Sequence, residues 1–188
     1  NLANGEVLVL GALAAFWLYT TSQISPLLTV VLVAPISFIG NWLIYRFLLT
    51  PLVRRSKTQS HLEVDSILAT FGMSFILIGI MVSIEGGFFA YKYLSTAISI
   101  FGSTTSLNRF VAFLIAVLIG GLLYLWLNHT RSGVAVRAVS VSTEASGLVG
   151  INVPRVSALA FALGGAITAV GGALISTFIT LDASIGVV

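Results

Sequence analysis

The chain has 188 residues, of which 57% are hydrophobic and only 8% charged, with a mean hydropathy of +1.08. A soluble domain carries about 25% charged residues. Nine basic and six acidic side chains are too few to coat a globular surface, which excludes a soluble enzyme, a disordered chain and a collagen-like fibre. The absence of cysteine removes disulfides, thiolate metal sites and cysteine nucleophiles. What remains is an integral membrane protein, and at about 20 residues per crossing the chain has room for about five spans. The net charge of +3 is spread between apolar runs, in the manner of topology signals and not of a nucleic-acid surface.

The chain opens at Asn1 and closes at Gly186-Val187-Val188 without a polar tail, so a fragment of a longer protein is expected. Val7 to Tyr19 is apolar, but 13 residues give only about 20 Å of helix. Either a preceding part is missing or Asn1–Glu6 itself lies at membrane depth. The second option places polar groups, including a carboxylate, where irregular backbone survives only if buried in protein or lining a wet cavity.

Four longer spans follow. Leu27–Leu49 is entered by Pro26 and is expected to kink at Pro35, with Gly40-Asn41 as a close-packing or polar point. Ser66–Ile84 carries no charge, and Phe110–Asn128 ends in the interfacial pair Tyr124 and Trp126. Val156–Leu181 contains Gly164, Gly165, Gly171 and Gly172, and Thr168-xxx-Gly172-xxx-Ser176 forms a small-residue stripe that lets another helix approach closely. Between the second and third of these, Tyr93–Asn108 holds seven Ser or Thr residues and is expected to be a hairpin or an interfacial helix. Five alternating crossings put Arg46, Arg54, Arg55, Lys57, Arg131, Arg137 and Arg155 on one side and Lys92 and Arg109 on the other. Seven against two places the first set in the cytoplasm.

Chemistry-bearing motifs are scarce. Neither lysine follows a glycine-rich turn, so the chain has no P-loop, and any ATPase is expected on another polypeptide. His61 and His129 stand apart and suggest no metal site, and Gly72-Met73-Ser74 lacks the second glycine of a nucleophile elbow. The informative segment is 129–155. There Ser142 can cap a short helix with Glu144 in its first turn, Gly150 can end it in a left-handed turn, and Pro154 can start the next span. Two turns of helix with small residues at Ala145, Ser146 and Gly147 form a plausible peg for a partner's groove, or else an ordinary loop helix.

The run Glu144-Ala-Ser-Gly-Leu-Val-Gly150 resembles the EAA-x3-G signature of ABC importer permeases. The longer stretch Arg131-Ser-Gly-x3-Arg137-Ala…Glu144-Ala…Leu148-x-Gly150-Ile-Asn-x2-Arg155-Val resembles the branched-chain amino-acid ABC permease family. So do Pro51-Leu-Val-Arg54-Arg-Ser56 and Phe71-Gly72-Met73-Ser74, in the same order. Asn1-Leu-Ala-Asn-Gly-Glu6 is similar to that family's N-F-A-H-G-E motif, with Leu2 and Asn4 replacing Phe and His, and Ser146 replaces the third residue of EAA. Family permeases have helices before the first motif and after the Gly-rich span.

The resemblance implies an all-α, polytopic permease domain covering 1–188 in part, with a cytoplasmic coupling loop at 129–155. It implies a subunit of an importer for branched-chain or other neutral amino acids in a bacterial inner membrane. Its expected partners are ATP-binding subunits, a second permease subunit, an extracytoplasmic substrate-binding protein and membrane lipid; it needs no cofactor and performs no covalent chemistry. The pathway candidates are Asn1, Asn4, Gly5 and Glu6, because an intramembrane polar cluster is functional by default. The coupling candidates are Glu144, Ala145, Ser146 and Gly150, and the packing candidates are Gly164, Gly165, Thr168, Gly171, Gly172 and Ser176. Rival readings are a permease for urea or short amides, a proton-coupled transporter that titrates Glu6, and a purely structural membrane subunit.

Overall fold

The computed structural model describes residues 2–55, 59–84, 86–91, 93–100 and 103–182. It is helical, with two small strand pairs, and five stretches are long and apolar enough to cross a membrane: Asn4–Ser22, Pro26–Val53, Val64–Ile84, Leu107–His129 and Val153–Ile175.

Helix α1, Asn4–Ser22, is 19 residues long, not the 13 expected. Asn4–Glu6 form its first turn, and the hydroxyls of Thr20 and Thr21 donate to the Phe16 and Trp17 carbonyls at its far end. Gln23 ends it in a left-handed conformation. After a three-residue turn, Ser25 caps α2 (Pro26–Ile44) by accepting from the Leu28 amide. Pro35 lies within α2 without interrupting it. The helix then widens into a π-turn at Tyr45–Leu49 and continues as α3, Thr50–Arg55. Pro51 accounts for the widening: its ring has no N–H to donate and clashes with a carbonyl four residues back. The Thr50 hydroxyl bonds the Tyr45 carbonyl across the wide turn at 3.0 Å.

Helix α4 spans Gln59–Ile84, and the short strand β1 covers Phe88–Phe89. Strands β2 (Ala97–Ile100) and β3 (Ser103–Ser106) pair antiparallel, so the Ser/Thr-rich loop is a hairpin. Helix α5 is Leu107–His129, and two helices follow where one was expected: α6, Arg131–Val141, and α7, Thr143–Leu148. Thr130 makes the α5–α6 corner, donating to the Trp126 carbonyl and accepting from the Gly133 amide. Gly133 has to be glycine there, since a Cβ would strike the Trp126 carbonyl.

Helix α8, Val153–Ile175, stops six residues before the expected end at Leu181. The Ser176 and Thr177 hydroxyls donate to the Ala173 and Leu174 carbonyls at 2.9 and 2.7 Å. The chain then leaves the helix to form β4, Leu181–Asp182, paired antiparallel with β1.

Helix α8 is the centre of the bundle and lies between α1 and α2. Its inner face is built from Ala162, Gly165, Ala169, Gly172 and Ala173, all buried. Two backbone approaches fix the α1–α8 pair: a Cβ on Gly172 would overlap the Leu8 carbonyl, and one on Gly11 would overlap the Ala169 carbonyl. On the α2 side, the Asn41 amide fills the space where a Gly165 side chain would stand, and the Ser37 hydroxyl donates to the Gly165 carbonyl at 3.1 Å. Gly164 and Gly171 meet no atom within 4 Å, so the expected stripe divides, with Gly165 and Gly172 against neighbours and Gly164 and Gly171 turned away. Among the described residues, the Thr168 hydroxyl bonds its own helix, at the Gly164 carbonyl.

Helix α4 runs alongside α1 in the same direction. The Leu2 amide donates to the Thr70 hydroxyl at 3.3 Å near their starts, and Met81 packs with Val9, Ala12 and Leu13 further along. At that end an aromatic cluster closes the bundle: Tyr19 stacks on Tyr91 at 5.0 Å, and Tyr91 is hydrogen-bonded to Ser176 at 3.0 Å. Burial pushes the Tyr91 phenol above its ordinary range, with the Ser176 bond pulling the other way, so it stays neutral at pH 7. Thus α1, α4 and α8 finish together, and α2 begins beside them. Helix α5 is peripheral, with Val117, Leu118 and Leu122 exposed.

The divided stripe sets a test. Gly172→Leu and Gly11→Leu should each cost about 1–3 kcal/mol or more, because the obstacle is backbone. Gly164→Ala and Gly171→Ala should be neutral or stabilising by up to about 1 kcal/mol through helix propensity. Thermal unfolding midpoints in detergent read both pairs; equal losses at all four positions would contradict the packing described.

Candidate functional site: a buried acidic helix start and a protruding helix

The two clusters of interest lie at different depths. The first is the start of α1. Its chain begins beside Thr70, six residues into the Val64–Ile84 span, a depth of about 9 Å at the α-helical rise. Val7 packs with Val33 of α2 and Ala169 of α8, with Leu77 of α4 against them, and all three lie well inside their spans. Residues 2–6 therefore lie level with the interior of the neighbouring apolar helices, and Asn4–Glu6 are helical and not irregular backbone. Asn1 lies outside the described residues.

Asn4 is exposed, Gly5 is half-buried and Glu6 is 1% exposed. Within the first turn of α1, the Glu6 carboxylate benefits from the positive end of the helix dipole. Its Oε2 is nonetheless buried without a hydrogen-bond partner among the described residues. A second buried acceptor on the inner faces, Asn41 Oδ1, is also unpartnered there, although the Asn41 Nδ2 donates to the Ser37 carbonyl at 2.9 Å. Burying an unpaired polar group is costly, which singles out these two acceptors among the described residues. Gly40-Asn41 was legible as a polar point in the sequence. The partnership of Ser37 and Asn41 with Gly165 was not, since nothing local pairs residues 128 apart.

The second cluster is α7. Ser142 accepts from the Ala145 amide at 3.2 Å as its N-cap, with Glu144 in the first turn. At the other end Gly150 has φ +81°. The Ile151 amide returns to the Ser146 carbonyl at 3.0 Å and the Gly150 amide to the Gly147 carbonyl at 3.1 Å. These are the two bonds of a Schellman motif. Asn152 then caps α8 by accepting from the Arg155 amide at 3.2 Å, with Pro154 in the first turn. A six-residue helix is thus closed at both ends by defined bonds.

Its orientation separates the coupling candidates. Ser146 is buried against the chain's own body, whereas Glu144, Ala145 and Gly150 are exposed. Leu148 is 90% exposed, and Val141 and Val149 are also exposed. The outward surface is therefore more apolar than Ala145 and Ser146 alone suggested. Among the described residues, no three His, Asp or Glu side chains come together as a metal site.

The sequence profile of the family described as "Branched-chain amino acid transport system / permease component" matches residues 1–187. The high-affinity branched-chain amino acid transport system permease protein LivH of Salmonella typhimurium is 27% identical over 193 residues, covering 95% of this chain and 61% of that protein. LivH of Escherichia coli K12 is 26% identical with the same coverage. The chain thus spans 61% of the length of these curated relatives. No solved structure matches it. With the profile matched from end to end on a bundle of membrane-spanning helices, the chain belongs to the branched-chain amino-acid transport permease family.

Proposed function

We propose that this protein is the translocating subunit of an ATP-driven importer for branched-chain or other neutral amino acids in a bacterial inner membrane. Family membership supports a transport subunit and not an enzyme. The partners in this reading are separate ATP-binding subunits, a second permease subunit and an extracytoplasmic substrate-binding protein. The basic loops 50–62 and 129–155 face the cytoplasm, in keeping with seven of nine basic residues lying on that side.

The observation that carries the reading is α7. A transporter that does not bind ATP itself has to receive the free energy through a protein contact, and α7 offers a short capped helix with exposed apolar residues in a basic segment. In this reading Glu144, Ala145 and Gly150 contact or shape the contact with the ATPase, together with Leu148 and Val149, while Ser146 anchors the helix from within. Ala145→Trp would fill the partner's groove without touching the membrane spans. Gly150→Val would force a β-branched residue into a left-handed conformation, a strain of about 1–2 kcal/mol. Both variants should insert into the membrane yet lose substrate-stimulated ATP hydrolysis and uptake together. An Ala145→Trp complex that stays assembled and fully active would remove α7 from the coupling role.

Asn4, Gly5 and Glu6 are the pathway residues in this reading, with Glu6 as the inner group and Asn4 on the open side. A carboxylate at mid-span can receive the ammonium group of an amino acid, and a charge-assisted hydrogen bond contributes about 1.5–3 kcal/mol. Glu6→Gln should therefore reduce uptake by about tenfold or more while assembly with the ATPase persists. Uptake by Glu6→Gln equal to that of the parent would make Glu6 a helix-closing residue only. Uptake that collapses with the proton gradient while ATP is maintained would favour a proton-coupled transporter.

A further inference from the structure

A wide groove lies away from the start of α1. It opens at the basic end, between the π-turn after α2 and the α7–α8 junction, with a volume of about 880 Å³. Arg46 and Arg155 both line it, Trp42, Pro154 and Ala158 supply apolar wall, and among the described residues no acidic side chain lines it. The Arg46 guanidinium lies 5.3 Å from the centre of the Trp42 ring. The π-turn is part of this construction, since it begins at Tyr45 and carries Arg46 on the widened segment.

The depth of the groove fixes what it meets. The Pro26–Val53 stretch has 28 residues, or about 42 Å, against a hydrocarbon core of about 30 Å. Measured from Pro26, the core ends about 20 residues on, at Arg46. Arg155 is the third residue of α8; the pairing of Ser37 with Gly165 and of Tyr45 with Phe161 sets its backbone about one turn nearer the basic end than that of Arg46, and both side chains line the groove. Trp42 and Ala158 each lie about one helical turn deeper than the arginine on their own helix. The lining is therefore cationic at headgroup level and apolar at acyl-chain level, and the first turn of α8 adds the positive end of its dipole.

We propose that this groove holds one anionic phospholipid, with its phosphate held by Arg46 and Arg155 and an acyl chain against Trp42 and Ala158. Guanidinium groups suit this role because their planar fork matches phosphate oxygens in two-point contact. The bound lipid ties the end of α2 to the α7–α8 junction across a gap that no described side chain fills.

The test uses the full-length protein with Trp42 as its single tryptophan, reconstituted in phosphatidylcholine vesicles. Brominated phosphatidylglycerol and brominated phosphatidylcholine are compared as quenchers of Trp42 fluorescence. Phosphatidylglycerol should be preferred by roughly fivefold or more, as expected for basic residues facing an anionic headgroup. Arg46→Gln with Arg155→Gln should bring the preference close to one, and Arg46→Lys with Arg155→Lys should keep a reduced preference. Equal quenching by the two lipids in the unmodified groove overturns the proposal and needs no variant to fold. So does a preference unchanged by the double glutamine variant. If the lipids quench equally but an added ATP-binding subunit shields Trp42, and does so only with both arginines present, the occupant is an acidic protein segment and not a lipid.

Discussion

The contact on which the bundle depends is the meeting of α8 with the backbone of α1. Inside a bilayer, burial against a neighbour gains little over burial in lipid, so helix association relies on close van der Waals packing. Gly172 against the Leu8 carbonyl and Gly11 against the Ala169 carbonyl bring two helix backbones together with no side chain between them. Ala162, Ala169 and Ala173 extend the same face. Helix α2 reaches the other side of α8 through Asn41 and Ser37, so one small-residue helix fixes both neighbours.

This arrangement explains why α1 can start at span depth. Just before it, Leu2 is held by the Thr70 hydroxyl, and Val7 packs on Val33 and Ala169, so Glu6 sits among helices while Asn4 stays exposed. The consequence is a buried carboxyl group with one oxygen unpartnered among the described residues, a costly feature. At the opposite extreme, α7 is exposed yet rigid, closed by Ser142 at one end and by Gly150 at the other. In the proposed reading, the buried polarity inside and the exposed, capped helix at the basic end work together, joined through α8. Asn152 begins α8 immediately after α7, and Ala169 and Gly172 carry the same helix to α1.

Much of this was legible in the residues. Long apolar runs marked four spans, three of them free of charge and one carrying only Arg46, because a membrane helix has to be apolar over about 20 residues. The Ser142, Gly150 and Pro154 signals predicted the ends of α7 and the start of α8, since capping is local chemistry. Long-range choices were not legible. Nothing near Gly165 and Gly172 distinguishes them from Gly164 and Gly171; only the position of α1 and α2 does. The fourth span looked continuous to Leu181 because Ser176 and Thr177 are uncharged, but pairing of β4 with β1 draws the chain out of the helix. The extra helix α6 arises from Thr130 and Gly133, an N-cap and a close approach that read in sequence as ordinary loop residues.

The central claim is that α7 is the point at which a partner's motion enters the membrane bundle. The most direct measurement is photocrosslinking from Leu148, the most exposed apolar residue of α7, in the assembled transporter. A photoreactive residue there should capture the ATP-binding subunit, and the yield should change between the nucleotide-free and ATP-bound states. Crosslinks to lipid alone, or a yield indifferent to nucleotide while a probe elsewhere in the 50–62 loop responds, would contradict the account.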